Sequence, residues 1–134
     1  LIEFFITSFD IYITSVEKSL GVDKSNQQLT NRIKNYLANS GFEFTDDKTK
    51  AELSLDVNSN SEKGSVSGSI YITYVTAVIR VSTATDNKEI YATTLDRIKG
   101  FSLDYERSSQ EAYNKSLETL EKDKLPELLN AILQ

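Results

Sequence analysis

Histidine, cysteine, methionine and tryptophan are all missing from this chain of 134 residues. Without histidine it lacks the commonest general base, and without cysteine the strongest nucleophile. Their joint absence also removes every imidazole and thiolate metal ligand. No disulfide framework exists, so the redox state of its compartment leaves no mark on the sequence. No run of Lys and Arg forms a basic patch, and the formal charge is -5. A chain of that sign offers little counterion release, which argues against nucleic acid as a partner. No apolar run approaches the roughly 18 residues needed to span a bilayer.

What is present fits a folded domain. Hydrophobic residues make up 39% and charged residues 26% of the chain, within the range of soluble globular proteins. The length suits one α/β domain over residues 1–134, long enough to bury a core. The chain starts Leu1-Ile2-Glu3 and reads as an excised domain or a processed product. A signal peptide or lipid-bearing cysteine would lie upstream, so neither is expected within it.

Leu1 to Phe9 is apolar and aromatic, either a first strand or a linker from a preceding segment. Ile11 to Val16 alternates and is β-branched, a strand with Ile11 and Ile13 inward. A helix opens near Ser25–Gln28, with Asp23 or Ser25 as its cap and Leu29, Ile33 and Leu37 as its stripe. Gly41 suits its left-handed terminus. Phe42–Phe44 and Ala51–Val57 are strands. Asn58 to Ser69 is polar with hardly an apolar anchor, and reads as a mobile hairpin loop or a projecting strand end.

Ile70 to Ala84 is a long strand, with Val75, Ala77, Ile79 and Val81 on one face and Tyr74, Thr76, Val78 and Arg80 on the other. Asp86-Asn87-Lys88 turns the chain into a partner strand, Glu89–Lys99, that Gly100 stops. Ser108-Ser109-Gln110-Glu111 reads as a capping box. The helix behind it buries Ala112, Leu117, Leu120, Leu125, Leu128, Leu129 and Ile132, with a kink or restart at Lys124–Pro126.

The resulting fold class is α+β: a single mixed or mostly antiparallel sheet of about five strands, in the order β-α-β-β-β-β-α. Two helices can cover only one of its faces. The other, bearing Tyr74, Thr76, Val78 and Arg80, is the candidate interface.

Reactive constellations are scarce. Glu43, Asp46 and Asp47 could offer oxygen ligands to calcium, but their spacing matches no EF-type loop and turn chemistry explains them better. Gly64-Ser65-Val66-Ser67-Gly68 sits in a polar stretch, not at a strand-to-helix turn, so it makes a poor phosphate cradle. A Ser-His-Asp triad is impossible. No catalytic, cofactor or metal site is expected.

Taken in order, Ile11-Tyr12-Ile13, Glu17-Lys18-Ser19-Leu20-Gly21, Ser40-Gly41-Phe42-Glu43-Phe44, Ala51 to Val57, Lys88-Glu89-Ile90-Tyr91, Ile98-Lys99-Gly100, Glu111-Ala112-Tyr113 and Leu125-Pro126-Glu127-Leu128-Leu129 form an outline. It resembles that of small bacterial envelope lipoproteins, with a domain like the amino-terminal domain of the Tol-Pal protein TolB and those of flagellar and curli assembly lipoproteins. The resemblance implies helices on one sheet face, a lipid anchor upstream, and a periplasmic or outer-membrane location. It implies a non-catalytic interaction or assembly-accessory role with a protein partner or neighbouring domain, and carries no catalytic residues. A small-molecule or lipid carrier, with an apolar cavity between sheet and helices, is the alternative.

Overall fold

The computed structural model describes residues 10–134, so the reading of Leu1–Phe9 as a strand or linker lies outside the described residues. The chain runs β1 (Asp10–Ser19), β2 (Val22–Asp23), α1 (Gln28–Asn39), β3 (Glu43–Phe44), β4 (Leu53–Ser67), β5 (Ile70–Thr83), β6 (Glu89–Ser102), α2 (Tyr105–Thr119) and α3 (Leu125–Leu133). The sheet order is β2-β1-β4-β5-β6, with β3 beside β1. β1 runs parallel to β3 and β4, and the crossover to β4 passes through α1. β4, β5 and β6 form an antiparallel meander, giving the mixed α+β sheet expected from the sequence.

Alternation decides which side of each strand is buried. Ile11 on β1, Leu53, Leu55 and Val57 on β4, and Val75, Ala77, Ile79 and Val81 on β5 all face the helices and are buried. Against them pack Leu29, Ile33 and Leu37 of α1, Ala112 and Tyr113 of α2, and Leu125, Leu128 and Ile132 of α3. At about 25 cal/mol per Å² of apolar surface removed from water, this layer dominates the stability of the fold.

Of the two readings of residues 58–69, a mobile loop or a projecting strand end, the structure has strand as far as Ser67. β4 continues to Ser67, paired residue by residue with β5 apart from one irregularity between Lys63 and Val66. Its inward positions are Ser59 and Ser61, both buried. The polarity that made the segment look loop-like is that of hydroxyls facing a helix.

The helix ends also differ from expectation. α1 has Gln27 at its N-cap position and receives no side-chain cap from there. Neither Asp23 nor Ser25 does the job. Glu17 does, reaching across from β1: its carboxylate accepts from Leu29 N at 3.2 Å, Thr30 N at 2.8 Å and Thr30 Oγ1 at 2.6 Å. The Leu29 and Thr30 amides are ones the helix cannot satisfy internally. At the other end Gly41, at φ +99°, completes a Schellman motif, with Phe42 N bonded to Leu37 O and Gly41 N to Ala38 O.

α2 begins earlier than the expected capping box. Asp104 is its N-cap and accepts from Arg107 N at 2.7 Å. Ser108 and Ser109 therefore lie a turn inside the helix, buried against the sheet. Glu111 does not fold back on the cap; it accepts from Phe101 N of β6. The restart expected before Pro126 is present as one π-helical turn, Leu120–Lys124, after which α3 starts with Pro126 in its first turn.

Gly100 does not stop β6. It pairs with Thr73 inside the strand, where α2 crosses so closely that a Cβ would collide with Ser108 O and Ala112 N. Only glycine fits there.

Candidate interaction surface

Two surfaces could carry function: the buried hydroxyl cluster under α2 and the sheet face that α1, α2 and α3 leave open.

The cluster is built from β1, β4, β5 and α2. Ser61 Oγ lies 2.6 Å from Ser109 Oγ, which lies 2.7 Å from Ser19 Oγ. Thr73 Oγ1 meets Ser108 Oγ at 2.5 Å. Tyr113 OH donates to Lys18 O at 2.6 Å and lies 2.9 Å from Ser59 Oγ. Burial pushes the Tyr113 hydroxyl up to about 12, beyond the reach of a general base at neutral pH. Among the described residues, every buried side-chain nitrogen and oxygen has a hydrogen-bond partner. A network satisfied in this way specifies packing.

Beside it, Lys24 Nζ stands 3.4 Å from the Tyr113 ring centroid and donates to Gln28 Oε1 at 2.9 Å. Partial burial lowers its pKa below the ordinary lysine value, and the nearby Glu17 charge opposes that shift. Lys24 borders an open cleft of about 410 Å³ with Ser19, Val22 and Glu106. The cleft lies at the β1–β2 turn, beside the first turn of α2. There Leu20 and Gly21 both have positive φ, and their amides bond to Ser61 Oγ and Asn60 Oδ1.

Of the carboxylates weighed as calcium ligands, Asp47 is engaged in a turn. Asp47 closes the turn at Lys48–Lys50, accepting from Thr49 N at 3.0 Å and Thr49 Oγ1 at 2.6 Å. Among the described residues, no group of three or more Asp or Glu side chains is placed to hold a metal. Gly64 to Ser67 is the end of β4 rather than a phosphate loop.

The open face carries the four residues singled out from the sequence. Tyr74, Thr76 and Val78 are half-buried and Arg80 is exposed, in a row along β5. The structure gives them unequal roles. Arg80 Nε pairs with Glu89 at 3.0 Å, and Thr76 Oγ1 accepts from Arg97 N at 3.3 Å. Val78 lies between Asn58 of β4 and Thr94 of β6. Tyr74 is the centre of a larger group: the Arg97 guanidinium lies 4.0 Å from its ring and Lys99 Nζ 5.8 Å. Both ranges suit cation–π attraction.

Alternation extends that row to Ile72, which pairs with Phe101. Phe101 is 41% exposed, Ile70 39% and Leu103 60%, large apolar groups in water at the end of the face. Sequence reading missed this end. The signal was there in Phe101 and Leu103, hidden by taking Gly100 as the end of the strand.

Arg97 owes its position to a bulge. Between the Val75–Ile98 and Ala77–Leu95 pairs, β6 sets two residues, Asp96 and Arg97, against the single Thr76 of β5, and Arg97 sits at φ +49°. A non-glycine residue held there costs about 1 kcal/mol or more. The bulge brings the guanidinium over Tyr74, a re-aiming typical of such sites.

No helix among the described residues is long and apolar enough to cross a membrane. No family model and no curated protein matches the sequence. Solved structures do match. A neuraminyllactose-binding hemagglutinin homologue from Helicobacter pylori superposes with a TM-score of 0.65 at 15% identity, over 91% of this chain and 83% of that one. A Caulobacter crescentus lipoprotein gives a TM-score of 0.53 at 13% identity, over 87% and 85%. A Neisseria meningitidis lipoprotein gives 0.49 at 11% identity, over 86% and 99%. The chain shares its fold with the Helicobacter pylori homologue and the Caulobacter crescentus lipoprotein, in agreement with the resemblance to envelope lipoproteins read from its sequence.

Proposed function

We propose that this chain is a non-catalytic interaction or assembly-accessory domain of the bacterial envelope, and that it holds a protein partner or neighbouring domain through the open sheet face. One observation carries the reading: α1, α2 and α3 pack on one side, while Tyr74 and Val78 face outward on the other. Rigid aromatic side chains on a flat uncovered surface are common anchors for protein contacts. The fold shared with bacterial lipoproteins supports an envelope location. A lipid anchor upstream would hold the domain at a periplasmic membrane surface or the outer membrane.

The test is photocrosslinking in cells from a probe at Tyr74, with a second probe at exposed Asn31 on α1 as the control. A discrete crosslinked partner is expected from Tyr74 alone. Paired Tyr74→Ala and Val78→Ala substitutions should abolish capture of that partner while the melting temperature shifts by only a few degrees. Equal crosslinking from both probes, or none from Tyr74, counts against the face.

A further inference from the structure

Deepening that reading, we propose that the partner is an acidic, apolar-anchored protein segment, and that it docks on the end of the open face where β5 begins and β6 ends. Cross-strand pairing sets Ile72 beside Phe101, and Ile70 and Leu103 each follow directly on the last pair of the ladder, Tyr71–Ser102. Ile70, Phe101 and Leu103 thus meet water at one end of the sheet, with half-buried Ile72 alongside Phe101, an arrangement that marks binding surfaces more often than chance exposure.

Their border is cationic. Lys99 Nζ lies 5.6 Å from the Phe101 ring, and Lys115 Nζ lies 5.0 Å from it across the strand edge. Arg97 covers Tyr74, the next ring along. Lys115 is paired with Glu111 at 3.1 Å. Among the described residues, no carboxylate forms an ion pair with Arg97 or Lys99. Two uncompensated cations beside bare apolar groups, in a chain of net charge -5, fit an acidic occupant with apolar side chains of its own.

Protein suits this surface better than membrane. Asp56 and Glu62, on β4 opposite Arg80 and Tyr74, would meet an anionic bilayer laid across the whole face, whereas a short segment confined to the β6 side of Tyr74 avoids them. Strand addition at the β6 edge fits less well than docking on the face, because the Asp96–Arg97 bulge interrupts that edge.

The test is selection of random twelve-residue peptides displayed against the full chain, counter-selected on Lys99→Glu. The expected winners carry Asp or Glu flanking Leu, Ile or Phe. As synthetic peptides they should shift the amide resonances of Ile72, Tyr74, Lys99 and Phe101. Their affinity should drop at least tenfold for Lys99→Glu and again for Phe101→Ser, both checked for an unchanged fold by near-ultraviolet circular dichroism. Winners that map to this face without acidic residues overturn the present inference and leave the open-face function standing. Winners that map elsewhere, or no winners, overturn both. Co-sedimentation with phosphatidylglycerol vesicles, lost in Lys99→Glu, would assign the patch to a membrane instead.

Discussion

The space between sheet and helices is filled in two different ways. Near the start of β4, Leu53, Leu55 and Val57 meet Ile79, Val81 and the leucines of the helices, and the contact is wholly apolar. Further along the same strand, Ser59 and Ser61 meet Ser109 and Tyr113 through hydroxyls, while Thr73 meets Ser108. Both halves exclude water equally: Leu55 is 0% exposed and Ser61 is 1%. The apolar half asks only for volume, whereas each hydroxyl asks for a partner in a set direction. Small side chains also let α2 approach the sheet until Gly100 is the only residue that fits under it. The apolar half therefore supplies most of the stability, and the hydroxyl half fixes where α2 lies.

The sharpest way to break this division is truncation on the apolar side. Leu55→Ala is expected to cost about 2–5 kcal/mol in urea unfolding, the range for a fully buried leucine. A loss well under 1 kcal/mol would mean the core does not rest on this half.

Glu17 tests the polar half with a somewhat smaller effect. Glu17→Leu strands the amides of Leu29 and Thr30, each worth about 1–3 kcal/mol when left buried without an acceptor. Glu17→Gln keeps one acceptor oxygen and should lose clearly less. Equal losses in the two variants would show that capping of α1 from β1 does not matter.

The smallest effect is on proton binding. The hydroxyls of Tyr91 and Tyr113 are both pushed from 10.0 up to about 12, chiefly by burial. Between those values the folded chain holds the two protons more tightly than the unfolded one. Their contribution is complete below pH 10 and fades as pH climbs toward 12. Lys24 acts in the opposite sense: its lowered pKa is a penalty that is relieved as pH rises toward 10.5. A tyrosinate absorbance titration should show two of the seven tyrosines ionising last, and Tyr113→Phe should remove one of them. Seven indistinguishable ionisations in a still-folded chain would contradict the buried position of Tyr113 and the half-buried one of Tyr91.

Several features were legible from residues alone because local periodicity and burial coincide there. The stripe Leu29, Ile33, Leu37 and the inward set Val75, Ala77, Ile79, Val81 are buried where alternation places them, and Gly41 ends α1. The open face with Tyr74, Thr76, Val78 and Arg80 followed from counting helices against sheet faces. Illegible were the features whose partners are distant in sequence. Ser61 and Ser109 look like loop and cap residues until β4 and α2 are brought together 48 positions apart. Glu17 shares the inward parity of Ile11 and Ile13, a clue that a buried acid needs donors, but nothing local names α1 as their source.

The sequence by itself determined the elements, their inward faces and the lack of histidine and cysteine chemistry, because those depend on side-chain type and on spacings of two and three to four residues. Tertiary structure alone decided that Glu17 caps α1, that Gly100 lies under α2, and that Arg97 is aimed at Tyr74 beside an exposed Phe101. Each of those depends on two chain segments meeting at hydrogen-bond or van der Waals distance, and no local pattern encodes such a meeting.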